Sequence, residues 1–271
     1  MKVSVIIPTY KPQAYIWECL DSIKNQTFPK ECFELILVLN GCKEPYYSQI
    51  KNYIELNLEG FNVNFIQTYV GGVSNARNIA LDVAKGEYVT FIDDDDYISP
   101  KYLEELHIAA TPDTISLCYP YAFNDGHPEV QLLDYGLNKI YEKYCNEDRN
   151  YLSSKVRKFF SGPCMKLIPR SYTKSKRFDI RFKNGEDSIY MFLISDKIRN
   201  IRFTSSNAIY YRRYRVNSAI TRKRTTSQKF INAIRMICEY IKIYAKNPFA
   251  YNFNFFVTRV LGAIKSILFT A

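Results

Sequence analysis

No C-x-x-C pair occurs among the seven cysteines of this 271-residue chain (Cys19, Cys32, Cys42, Cys118, Cys145, Cys164 and Cys238). Odd in number and irregularly spaced, they read as reduced core thiols of a cytosolic protein, not as a disulfide framework. Histidine is scarcer. His107 and His127 are the only two, and neither has a cysteine at ligand spacing. A zinc site is therefore not expected, and both read as surface or loop residues. Long apolar runs are missing too. A simple membrane span needs ~18 or more uninterrupted apolar residues, and the nearest stretch, 249–269, is broken by Asn252, Asn254, Arg259 and Lys265. Near the N-terminus, Pro8 cuts the largely apolar run Val3–Ile7 too early for a signal peptide. The ten glycines form no G-x-G-x-x-G after that run and no G-x-x-x-x-G-K-[ST] anywhere. Dinucleotide dehydrogenases and P-loop ATPases thereby lose their main support.

What is present is apolar and aromatic. Hydrophobic residues make up 47% of the chain, with 23 Tyr and 18 Phe, enough to bury one large domain or a domain plus an appendage. The net charge of +10 conceals a division. Residues 1–150 carry 12 Lys/Arg against 22 Asp/Glu (−10), and residues 151–271 carry 25 against 5 (+20). An acidic half followed by a basic half suggests two tasks in one chain.

Strand and helix patterns alternate through the first 110 residues. Val3–Ile7, Leu35–Leu39, Val63–Ile66 and Tyr88–Ile92 read as buried strands; Tyr15–Ile23, Tyr47–Ile54 and Asn75–Ala84 read as helices. Nearly continuous apolar strands in this alternation predict an α/β fold with a mostly parallel sheet covered on both faces. Ligands of such sheets bind beyond the strands' carboxyl ends. That singles out Pro8–Lys11, Asn40–Cys42 and Asp93–Asp96. Further on, Ile115–Tyr119 reads as a strand and Asp125–Pro128 as a turn. From about residue 225, Phe230, Ile234, Ile237, Ile241 and Tyr244 share one helical face. Asn247-Pro248 ends that helix, and a second amphipathic stretch runs to the end.

The run Phe91-Ile92-Asp93-Asp94-Asp95-Asp96 carries the most chemistry. In an extended chain, residues two apart point the same way, so Asp93 and Asp95 are expected to face a common point, with Asp94 and Asp96 turned elsewhere. Carboxylates held so close take up protons unless a cation is near. A hard divalent ion, Mg²⁺ or Mn²⁺, suits such oxygens and shares its remaining shell with phosphates. The second acidic site is Gly185-Glu186-Asp187, opening an apolar helix pattern in a half that holds five acids in all. Capping of that helix and a functional use both remain open for Glu186 and Asp187.

Together these segments resemble an inverting family 2 glycosyltransferase of the GT-A fold. The matching pieces are Val3–Tyr10, Gly72-Val73-Ser74-Asn75-Ala76-Arg77-Asn78, Ala84–Val89, Phe91–Asp96, Gly185-Glu186-Asp187, and Tyr211–Tyr214 with Ser218–Thr221. The resemblance covers about residues 3–222. It implies a GT-A (Rossmann-like) domain over 1–224, with a nucleotide-binding part to about 110 and an acceptor part over 111–224. Residues 225–271 form an amphipathic helical extension outside it. It further implies that Pro8, Thr9 and Tyr10 line the nucleotide base pocket, with Asn40, Arg77, Asp93 and Asp94 completing the nucleotide-sugar site. Asp95, with Asp93, would hold the cation on the diphosphate. Asp187 would be the catalytic base with Glu186 beside it, and Arg212, Arg213 or Arg215 would meet the diphosphate or the acceptor. Two departures stand out. Leu39-Asn40-Gly41-Cys42 replaces the family's Asp-Asp-Gly-Ser, so an amide stands where a base-reading carboxylate is usual, and Lys11 replaces an asparagine. The Q-x-x-R-W pattern of processive members is absent, which favours transfer of one sugar over polymerisation.

The expected partners follow from the resemblance: a nucleotide-sugar donor, UDP-linked in most relatives, and a glycan or lipid-linked acceptor, as in bacterial surface polysaccharide synthesis. The basic half allows peripheral contact of 225–271 with the inner face of a membrane, or packing of the same helices on the domain or on another subunit. Nucleic acid is not expected, because no binding motif accompanies the charge. A non-catalytic sugar-nucleotide binder is the alternative to an enzyme.

Overall fold

A computed structural model of the chain describes residues 1–132, 135–147, 151–215 and 225–268. The elements run β1 (Val3–Thr9), α1 (Tyr15–Lys24), β2 (Phe33–Asn40), α2 (Tyr46–Asn57), β3 (Asn62–Thr68), α3 (Val73–Val83), β4 (Tyr88–Phe91), β5 (Tyr97–Ile98) and α4 (Tyr102–Ala109). They continue with β6 (Thr114–Leu117), β7 (Tyr119–Asn124), α5 (Gly136–Tyr144), β8 (Lys166–Pro169), α6 (Arg170–Thr173), α7 (Glu186–Leu193), β9 (Asn200–Phe203), β10 (Ile209–Tyr214), α8 (Thr226–Lys246) and α9 (Phe253–Leu268).

Every residue of β1, β2 and β4 is buried, because helices cover both faces of the sheet. Each fully buried Ile, Leu or Val there contributes roughly 1.5–3 kcal/mol. On α1 the buried residues are Ile16, Cys19, Leu20 and Ile23, the spacing of a single helical face. The main sheet has the order β3-β2-β1-β4-β8-β6-β9. Its first four strands are parallel, with Ile6 opposite both Ile36 and Phe91. That register ends β1, β2 and β4 at one edge and sets the loops after Thr9, Asn40 and Ile92 side by side. The α/β architecture thus agrees with the sequence pattern.

The expected strand Ile115–Tyr119 is two strands. β6 stays in the main sheet, while β7 joins a second sheet of order β5-β10-β7. The switch falls at Cys118, whose N–H donates to Met165 O (3.2 Å), whereas Tyr119 N–H donates to Ala208 O (2.8 Å). β10 lies antiparallel to β5 directly after the acidic run, with Tyr211 opposite Tyr97, and so brings Arg212–Arg215 beside Asp93–Asp96. Ser218–Thr221 lies outside the described residues. His107 also departs from expectation. It sits on α4, partly buried between the rings of Phe28 (5.1 Å) and Tyr88 (5.8 Å).

α8 opens with a reciprocal cap: Gln228 N–H donates to Thr225 Oγ1 (3.3 Å), and Thr225 N–H to Gln228 Oε1 (3.2 Å). Its docked residues are Ala233, Tyr240 and Ile243, with Tyr240 Oη 2.7 Å from Ser188 Oγ on α7. Of the apolar stripe read from the sequence, Phe230, Ile234 and Ile241 are exposed and Ile237 is partly so, while Tyr244 packs on the core and stacks on Phe256 of α9 (4.3 Å). α8 therefore has two apolar faces, and the inner one packs on the domain. Among the described residues, no helix is long and apolar enough to cross a membrane.

Candidate active site

One cavity of about 1130 Å³ opens at the carboxyl edge of the parallel strands. Pro8, Thr9, Tyr10, Asn40, Arg77, Asp93–Asp96, Glu186, Asp187, Arg212, Arg213 and Arg215 all line it. The sequence-derived candidates thus converge from distant parts of the chain on a single space.

Arg77 organises it. Carried on α3 and only 2% exposed, it donates through Nη1 to Asp187 Oδ1 (2.5 Å) and through Nη2 to Asp93 Oδ1 (2.9 Å). Its guanidinium lies over the Phe178 ring, 5.3 Å from the centroid. Burial alone would lower this group, but Asp187 and Asp93 outweigh burial and hold it above its usual range. Asp187 opens α7 behind Gly185, whose φ of +82° favours glycine, and a side chain at Gly185 would strike Met236 of α8. Burial raises the Asp187 carboxyl, Arg77 opposes the rise and Asp93 adds to it. Asp187 Oδ2 has no hydrogen-bond donor among the described residues, so one oxygen is anchored and the other is available to a proton.

Asp93–Asp96 is a turn rather than an extended segment: Asp96 N–H donates to Asp93 O (3.1 Å). The alternation expected of it is therefore lost, and each carboxylate finds its own partner. Asp93 meets Arg77. Asp94 accepts a short bond from Thr9 Oγ1. Asp95 Oδ2 accepts from Arg215 Nε (2.8 Å) and Nη2 (2.5 Å). Asp96, fully enclosed, accepts from Arg213 N–H (2.8 Å). Asp94 thus faces the cavity with Asp93 and Asp95 instead of turning away.

The three arginines of β10 and its end divide their tasks. Arg213 is a clamp, donating to Asp95 O (2.9 Å), Asp125 (2.8 Å) and Glu18 (2.5 Å). Arg212 Nη1 reaches Tyr135 Oη (3.3 Å). Arg215 covers the Tyr15 ring (4.3 Å) while paired to Asp95. Asn40, expected among the ligand-reading groups, ties the loops together: Nδ2 donates to Thr9 O (2.7 Å) and Oδ1 accepts from Gly72 N–H (2.8 Å). Both ends of its amide hold the pocket floor.

The crowding of acids has a measurable consequence. Burial, with Asp187 adding, raises the Glu186 carboxyl to about 7. Burial likewise raises Asp94 to about 7, against the Thr9 hydrogen bond and with Asp95 and Asp93 adding. Folded values above unfolded ones mean that the folded state holds extra protons between about pH 4 and 7. Their contribution to stability is full below about pH 4 and is lost as pH rises through 7. The ligand-free protein should therefore melt at a higher temperature at pH 5.5 than at pH 7.5, and Glu186→Gln should flatten the trend. A melting temperature that climbs over this interval would refute the crowding.

The family model described as Glycosyl transferase family 2 matches residues 4–175. The chain belongs to this family. It is 30% identical over 248 residues to the poly(ribitol-phosphate) beta-glucosyltransferase of Bacillus spizizenii, covering 89% of this chain and 37% of that protein. The family 2 chain thus spans about a third of that relative's length. Its fold matches Staphylococcus aureus TarS 1–349 in complex with UDP-GlcNAc (TM-score 0.76, 23% identity, 98% of this chain, 72% of that one). It also matches a mannosyltransferase of Pyrobaculum calidifontis in complex with GDP-Man and Mn²⁺ (TM-score 0.59, 16% identity, 100% and 76%). The GT-A architecture is thereby shared with proteins that bind nucleotide sugars, one of them with Mn²⁺.

The cavity has a further wall that the sequence pattern did not point to. Arg157 and Ser161 line it, as do Met236 and Tyr240 of α8 and Arg259 of α9. The one signal was Arg259 itself, a charge interrupting an apolar helical stretch.

Proposed function

We propose that this chain is an inverting glycosyltransferase that moves a single sugar from a UDP-sugar to a glycan, polyol-phosphate or lipid-linked acceptor of a bacterial surface polymer. One observation carries the reading: Arg77 holds Asp93 and Asp187, from opposite halves of the chain, around one cavity. Asp187 Oδ2 accepts the proton of an acceptor hydroxyl, whose oxygen attacks the anomeric carbon as the nucleoside diphosphate leaves from the opposite side. Arg77 keeps Asp187 oriented and favours its ionised form. Glu186, buried with Oε2 unpartnered, supports that position. Pro8, Thr9 and Tyr10 flank the nucleoside, and Arg215 faces the diphosphate.

The donor set suits a hard divalent cation. The carboxylates of Asp93 and Asp95 supply only oxygens and line the cavity. Mg²⁺ or Mn²⁺ held by Asp95 and Asp93 would supply neutralisation of charge on the departing diphosphate. A thermal-shift panel of nucleotide sugars with and without Mn²⁺ tests donor and cation together. UDP-sugars with Mn²⁺ should raise the melting temperature by several degrees, and chelator should remove most of the gain. Equal, negligible shifts for every nucleotide sugar would sink the reading.

We also propose a cytoplasmic location with peripheral membrane contact through the outer face of α8 and its neighbours. Phe230, Ile234 and Ile241 are exposed there with Phe249 and Phe253, and Lys229, Lys242 and Lys246 flank them. Apolar residues beside lysines suit an anionic lipid surface. The full chain should co-sediment with phosphatidylglycerol vesicles, and the triple variant F230E/I234E/I241E should remain in the supernatant. Equal pelleting of the two would remove the membrane role.

A further inference from the structure

The helical wall of the cavity has a charge opposite to that of its acidic edge. Arg259 is 4% exposed and lines the cavity together with Arg157 and Lys183. Its Nη1 donates to Ser161 Oγ (3.3 Å) and Ser188 Oγ (3.2 Å), and its Nη2 to the carbonyls of Arg157 (3.3 Å) and Phe160. Its Nε has no partner, and its flat face covers the Phe255 ring (4.6 Å). All of these partners are uncharged. Among the described residues, no ion pair joins a carboxylate to Arg259, Arg157 or Lys183.

A guanidinium so thoroughly removed from water ordinarily has an anion beside it, because an unpaired buried charge is strongly disfavoured. Burial lowers Arg259 to about 10, Tyr240 working against that shift and Arg157 with it, so the group stays charged at neutral pH. A second cation stands next to the first. Gly262, one turn along α9, leaves room for Arg157, whose Nη1 would lie 3.0 Å from a Cβ there. The contact with Ser188 sets Arg259 beside the residue that follows Asp187, whereas Arg215 is paired to Asp95.

We infer that Arg259, Arg157 and Lys183 form an anion subsite for a phosphate group of the acceptor, holding it while the acceptor's hydroxyl faces Asp187. This rests on the glycosyltransfer reading and specifies the acceptor's chemistry: a glycan or polyol that carries phosphate. The phosphate can come from a polyol-phosphate chain or from the pyrophosphate of a lipid carrier. Arg157 offers a forked donor suited to either, and Arg259 adds the N–H of its unpartnered Nε.

The test is ligand-induced stabilisation of the full chain saturated with UDP and Mn²⁺, so that the donor side is filled. Ribitol 5-phosphate and geranyl pyrophosphate are titrated in separate arms, with neutral ribitol as control. At least one phosphate ligand should raise the melting temperature beyond ribitol, and the tighter arm identifies the source. Arg157→Ala/Lys183→Ala, one position half-buried and the other exposed, should weaken that ligand at least tenfold while leaving the UDP shift unchanged. Arg259→Gln should remove its effect, and the double variant decides the matter should Arg259→Gln not fold. No shift beyond ribitol, or an undiminished affinity in the double variant, overturns the subsite. A protein that ignores UDP contradicts the donor reading instead, and the same titration on the unliganded chain then judges the subsite alone.

Discussion

Asp187→Asn should leave donor binding intact and slow sugar transfer by roughly 10²–10⁴-fold, the scale of a lost general base. Asparagine keeps the size of the side chain and can still accept from Arg77 through its carbonyl, so the cavity should hold its shape. Its amide cannot take the proton that the proposed reaction delivers to Asp187 Oδ2. The measurement is steady-state transfer at saturating donor, paired with a UDP-sugar binding isotherm. A loss confined to the catalytic rate, with the donor Kd within about threefold of the parent protein, fits a base. Weakened donor binding with little change in rate would instead place Asp187 in the donor site. The acceptor hydroxyl would then need another base, and Glu186 is the adjacent candidate.

Arg77→Met has the second large effect, and it falls on stability as well as rate. Methionine can keep apolar contact with Phe178, but Asp93 and Asp187 would then face each other without the cation that joins them. Removing one partner of a buried pair costs about 3–5 kcal/mol. Here the two carboxylates are partly open to water (43% and 29%), so solvent screening should bring the loss to about 2–3 kcal/mol. Urea unfolding at pH 7.5 reads it directly. Burial already raises the Asp187 carboxyl and Arg77 opposes that rise, so without Arg77 it would titrate higher still, and the stability it withdraws at pH 7.5 returns as the pH falls through its raised value. The difference between variant and parent should therefore shrink at pH 5.5. A deficit that is equal at both pH values would mean that Arg77 acts through packing alone.

The parallel half of the fold was legible because β1, β2 and β4 each hold a nearly continuous apolar run and their breakers stand at the carboxyl edge: Pro8, Asn40-Gly41 and the acidic run. That same edge rule located Asp93–Asp96 before any chemistry was considered. What could not be read was the direction of each carboxylate within the run. Four identical side chains carry no periodic signal, and the turn is set by Asp96, which accepts from Arg213 on a strand more than a hundred residues later. Asn40 was visible as a departure from the family pattern, yet its task of joining Thr9 to Gly72 depends on tertiary contacts. The division at Cys118 likewise follows from β8 and β10 competing for one apolar segment.

The helical extension misled in a different way. Phe230, Ile234 and Ile241 give the stronger apolar stripe on α8, but the domain is met by Ala233, Tyr240 and Ile243. Small and amphipathic residues make the close contacts there, with Tyr240 hydroxyl-bonded to Ser188. Arg259 was legible only as an interruption. Burial of a charge cannot be inferred from its neighbours in sequence when the groups that enclose it, Ser161, Ser188 and Phe160, lie on other elements.

A crystal structure of the Asp187→Asn protein with intact UDP-GlcNAc and Mn²⁺ probes the convergence of the two acidic groups most directly. The diphosphate should lie against the Asp93–Asp96 turn. The anomeric carbon should then face residue 187 with space for an acceptor oxygen ~3–3.5 Å away. A donor seated with its sugar turned from residue 187, or outside this cavity altogether, would dissolve the link between Asp95 and Asp187 on which the proposed reaction depends.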